Sequence, residues 1–227
     1  KMARRSFDTH VYGVAAYSTL GWFADPVLDT WVGRGEPALA ALVIHELAHQ
    51  LVYASDDTEF SESFARVVER EGVRRWLARE GRDAAYADYL REQQIDAQFF
   101  ALLMATREQL ALLYQQPLAV SLMRERKKSV LEELRNEYAR VSASWPAHLR
   151  FDAWMGAPLN NARLASLANY QRWVSAFEQL LLEREGDLPS FYAAAQTLSR
   201  LPVAQRETRL LALAHAATMT PASVLTE

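Results

Sequence analysis

Helical periodicity is the strongest constraint this sequence places on its fold. Over residues 83–115, Tyr86, Leu90, Ile95, Phe99, Leu102, Leu103 and Leu110 fall on or near one face of a 3.6-residue repeat. A chain with that stripe must bury it against other helices. Pro117 separates this segment from a second one, 118–143, which Trp145-Pro146 ends. A further helix is expected over 160–185, stopped by Gly186-Asp187, and another over 189–201, followed by a short helix and a tail. Nearer the N-terminus, Glu36 and Pro37 open a helix through Tyr53, and Asp56-Asp57-Thr58 offers capping residues for one over 58–79. Residues 6–23 differ. SFDTHVYGVAAYSTLGWF is rich in β-branched and aromatic residues, punctuated by Gly13 and Gly21, and reads as one or two short strands. The expected fold is mainly α, in one domain spanning 1–227. It comprises a small β element over 1–35, a helix pair over 36–80 and long C-terminal helices over 83–227.

Composition narrows the function classes. Half of the 227 residues are hydrophobic and 23% are charged, which is the balance of a folded domain. A net charge of -3 gives no basic surplus for a nucleic-acid partner. No apolar run reaches the roughly 20 residues of a membrane helix; the best, 38–44, is broken by His45 and Glu46. Cysteine is absent, which excludes disulfides, thiolate metal ligands and a cysteine nucleophile. The run Arg124-Glu125-Arg126-Lys127-Lys128 reads as a solvated helix face, and His10, His148 and His215 stand isolated.

The chemistry-bearing feature is His45-Glu46-Leu47-Ala48-His49, an H-E-x-x-H inside the first predicted helix. Residues at i and i+4 share a helix face, so both imidazoles can hold one zinc ion. Glu46 lies beside that face, where its carboxylate can take a proton from a metal-bound water. Catalytic zinc needs a third protein ligand and an open position. Glu62, thirteen residues after His49, could be folded back over the histidines by a helical hairpin. Glu69, Glu71, Asp56 and Asp57 are its rivals. Val52 and Ser55 stand where a metzincin would have glycine and histidine, so that class is rejected.

Three blocks carry a family resemblance. HELAHQLVYASDDTEFSESFARVVEREGVRRWL, AAYSTLGWFADPVLDT before it and PLNNARLASLANYQRW after it resemble a bacterial family of predicted aminopeptidases, regarded as zinc enzymes. The segment around Glu62 is similar to the N-E-x-F-A of gluzincins, in which that glutamate is the third zinc ligand; Ser61 replaces the asparagine here. The resemblance implies a zincin-like, gluzincin-type fold with one zinc on His45, His49 and Glu62, and Glu46 as the base in peptide hydrolysis. It also implies a family N-terminal part beyond this chain and a periplasmic or cell-envelope location.

Supporting roles follow from the zincin likeness. An edge strand beside the zinc would hold the substrate backbone, a role Tyr17, Ser18 and Gly21 could fill. An oxyanion donor is needed besides the metal, and Tyr170 is the candidate, with Tyr17 and Tyr12 as alternatives. Asn160 and Asn161 could contact substrate, with helix capping as their ordinary role. Two other classes compete with an aminopeptidase. One is a non-catalytic helical interaction protein with structural zinc or none. The other is an endopeptidase or amidase acting on cell-envelope peptides.

Overall fold

Proline at the second position of a helix fills a place where no backbone donor is needed, and Pro37 does so here. Helix α1 (Glu36–Leu51) starts there and ends where Val52 turns extended. The computed structural model describes residues 7–11, 35–166 and 172–219. The expected β element at 1–35 lies almost wholly outside these residues, as do Tyr17, Ser18, Gly21 and Tyr170. Among the described residues the chain is helical and has no strand. No described helix is long and apolar enough to cross a membrane.

The chain divides into two compact units. One takes residues 13–86 and 169–227, the other 1–12 and 87–168. Helix α3 (Asp83–Tyr114) begins in the first and continues in the second.

In the first unit, α1 pairs with α2 (Thr58–Arg79), against which pack α7 (Val174–Glu183), α8 (Leu188–Ser199) and α9 (Val203–Met219). The α2 start is fixed by Asp57, whose side chain accepts from the Phe60 backbone N–H at 2.9 Å. Phe60 and Phe64 point from α2 into the core. Phe60 meets Phe177 edge-on at 5.0 Å, and Phe64 stacks on Phe191 at 5.5 Å. All four rings are fully buried. Each contributes about 1.5–3 kcal/mol by leaving water. The two site-bearing helices approach closely at Gly72: a Cβ there would stand 3.0 Å from both Cδ1 and Cγ2 of Ile44. The loop between them is held from inside by Ser61, whose hydroxyl accepts from Ala54 N–H at 3.0 Å and donates to the Asp57 carbonyl at 3.1 Å. Arg206 reaches in from α9, fully buried. It bonds Asp56 and Asp57, each at 3.1 Å, and the carbonyls of Leu198, Ser199 and Leu201.

In the second unit, α3 and α4 (Val120–Ser142) share a core with a 3₁₀ turn at Ala147–Leu149, α5 (Asp152–Gly156) and α6 (Asn161–Ser166). Phe99 stacks on Phe151 at 3.9 Å, and Trp145 donates to Gln98 at 3.0 Å. Tyr138 donates to Asp152 at 2.6 Å; burial and then the Asp152 carboxylate push its phenol up to about 12.

Two sequence expectations change. The helix expected over 160–185 is described as α6 and α7, with 167–171 outside the described residues. The short last helix is instead the 17-residue α9, because its inward residues Arg206 and Leu210 anchor it to the core.

Candidate metal centre

The i, i+4 spacing places His45 and His49 on the face of α1 that looks at α2, their rings edge to face at 4.9 Å. Glu62, one turn into α2, points back at both. Its carboxylate lies 3.3 Å from His45 Nε2 and 3.7 Å from His49 Nε2. One donor atom from each of His45, His49 and Glu62 fits within 4.8 Å of the others. Donors around a tetrahedral zinc stand about 3.3 Å apart, given bonds near 2.0–2.1 Å. The two histidine-to-glutamate separations are therefore of the right size.

Two further features fit a cation. His49 Nδ1 is buried with no hydrogen-bond partner among the described residues. Burial, then the neighbouring His45 charge, hold His49 below the ordinary imidazole value, while Glu62 pulls the other way. A buried neutral imidazole is the protonation state that binds a metal. Second, three donors converge among the described residues, one short of the four that close a structural zinc site.

Behind His45 stands another carboxylate. Glu69 Oε2 lies 3.1 Å from His45 Nδ1, and Arg66 Nη1 donates to both Glu69 oxygens at 2.9 and 3.2 Å. Burial opposes a charged His45, but Glu62 and Glu69 together outweigh it and lift the ring to about 9. Burial would likewise raise Glu69, and His45 and Arg66 overcome it, leaving the carboxylate below its ordinary value. Glu46 is partly buried on α1, about 100° around the helix from His45.

Residues 1–210 match the sequence profile of a family described as "Putative aminopeptidase". The chain belongs to that family. No curated protein and no solved structure matches it. The family match extends over residues of both units and includes every residue of the cluster.

The other residues singled out in this family member's sequence fall as follows. Three of the four rivals of Glu62 are engaged elsewhere: Asp56 and Asp57 with Arg206, Glu71 with Arg74 and Arg75 at 2.7 and 2.6 Å. Ser61 staples the loop from inside. Asn160 and Asn161 belong to the second unit. Asn160 caps α6 by accepting from Arg163 N–H at 2.9 Å and donates to the Thr9 carbonyl at 3.0 Å. Asn161 accepts from the Tyr114 hydroxyl at 2.9 Å.

Two site residues were not visible to sequence reasoning in these roles. Glu69 enters the sequence reading as a rival of Glu62 and not as a partner of His45 Nδ1. Tyr53 lies past the end of α1, where the chain has turned extended, so no helical spacing signals it, and its ring meets His49 edge-on at 5.9 Å. Tyr53 also lines a polar groove of about 680 Å³ with Asp56, Gln196, Arg200 and Arg206, beyond the C-terminal end of α1.

Proposed function

We propose that the chain is a zinc-dependent peptide hydrolase of zincin-like, gluzincin type. The observation that carries this reading is the convergence of His45, His49 and Glu62 to within 4.8 Å, with Glu46 adjacent in the same helix. His45, His49 and Glu62 would hold the ion. Zinc in such a site supplies a Lewis acid for the scissile carbonyl and for water.

The protein's own part is proton handling and positioning. Glu46 accepts the proton of the attacking water and returns it to the leaving amine, a role worth about 10²–10⁴ in rate. Glu46 is one residue from a ligand, so the base and the ion move together with a single rigid helix. The family description supports a peptide as substrate, and an aminopeptidase as the first activity to test.

The test joins metal analysis to peptide cleavage. The dialysed protein is expected to retain about one zinc per chain and to cut peptides with free N-termini faster than N-acetylated ones. Glu46→Gln should keep its zinc and lose 10²–10⁴-fold in turnover, in line with the usual worth of a general base. Equal cleavage of blocked and free peptides would favour the endopeptidase reading. Full activity in Glu46→Gln would remove the base assignment.

A further inference from the structure

His45 is strung between two carboxylates of the same helix. Glu62 and Glu69 are seven residues apart on α2, close to two full turns, so both look toward α1. Glu62 lies at Nε2 and Glu69 at Nδ1, 3.3 and 3.1 Å away. The lone pairs of those two ring nitrogens diverge, so a single ion cannot be reached through both. A carboxylate at Nδ1 is therefore outside the ligand set, whatever its charge.

An ionised carboxylate only accepts, so the proton in the Glu69 contact belongs to His45 Nδ1. With that proton in place, Nε2 is the nitrogen whose lone pair a cation can use. Glu69 is itself immobilised: it is buried, 4% exposed, and both its oxygens accept from Arg66. Resting on the zinc reading above, we infer that Glu69 is a positioning residue, fixing the tautomer and rotation of His45 so that Nε2 faces the ion with His49 and Glu62. Arg66 steadies Glu69 in turn. Carboxylates in this place typically change metal affinity by about 10–100-fold when removed.

The decisive measurement is zinc affinity by competition with a chromophoric chelator, on the full chain and three variants whose folding is checked by circular dichroism. Glu69→Ala should bind about 10–100-fold more weakly yet still saturate at the native stoichiometry. Glu69→Gln keeps an acceptor oxygen and should recover most of the loss; it also serves if the alanine variant folds poorly. Glu62→Ala should lose stoichiometric uptake. In the zinc-loaded native protein, long-range ¹H–¹⁵N NMR should show His45 protonated at Nδ1, and Glu69→Ala should blur that single tautomer.

Native affinity and an unchanged His45 tautomer in Glu69→Ala would overturn the inference while leaving the zinc reading intact. Lost stoichiometry in Glu69→Ala with full uptake in Glu62→Ala would overturn it in favour of Glu69 as a direct ligand. A native chain that takes up no zinc would overturn both readings.

Discussion

Glu62, Glu69 and Glu71 stand on one helix, and each answers to different partners. Glu62 faces two imidazoles, Glu69 sits between His45 and Arg66, and Glu71 lies under Arg74 and Arg75. For Glu71, burial would raise the carboxyl, but the two guanidiniums outweigh it and hold it below its ordinary 4.5. A carboxylate depressed in the folded state stabilises above its unfolded value and loses that contribution as pH falls through the folded one. The contribution is of order 1 kcal/mol, because both arginines are nearly half exposed and screened by water. Urea unfolding of native protein and Glu71→Gln should therefore differ most at neutral pH. The gap should shrink as pH drops below 4.5. A gap constant from pH 7 to 3 would show that the pair contributes nothing through ionisation.

At the scale of the element, the α1–α2 pair depends on one missing side chain. Gly72 lets Ile44 approach to a distance at which any Cβ would be compressed. A valine there must push the helices apart, at about 1–3 kcal/mol for overpacking, even though glycine is a poor helix former. Gly72→Val should lower the urea midpoint and also weaken zinc uptake, since His45 and Glu62 sit across the same seam. Gly156→Ala, where an added Cβ meets nothing within 4 Å, should leave both unchanged. A Gly72→Val protein as stable as native would show that the seam is loose.

This pair was also the most legible part of the sequence. The expected 58–79 coincides with α2 because Asp57 is an unambiguous cap followed at once by an apolar periodic run. The convergence of His45, His49 and Glu62 was legible because an i, i+4 step puts two imidazoles on one helix face and a short hairpin folds Glu62 back over them. The place of Glu69 was not. Its helical face could be read from the seven-residue step to Glu62, but the depth at which α1 sinks against α2 is set by Ile44 and Gly72 together, and no single position announces it.

The whole molecule adds contacts that no local pattern encodes. Arg206 lies 150 residues from Asp56, yet it ties the loop between the two site helices to the α8–α9 turn. No local sequence pattern marks Arg206 as a buried anchor. Replacing it with methionine removes the guanidinium bonds to Asp56, Asp57 and the carbonyls of Leu198, Ser199 and Leu201. The expected loss is roughly 3 kcal/mol, at the low end for a broken buried pair because Asp56 is half exposed. Thermal unfolding of Arg206→Met should show that loss; a transition at the native temperature would mean the loop is held by Ser61 alone.

One consequence concerns the order in which the chain is made. Phe60 and Phe64 of the site helix α2 are covered by residues translated much later than they are, and Ser63 waits 110 residues for Trp173. A ribosome adding about 5–20 residues per second leaves those rings uncovered for roughly 6–25 s. For that interval the nascent hairpin displays a sticky aromatic flank to the crowded cell, and the speed of elongation through the intervening unit sets how long it stays unprotected.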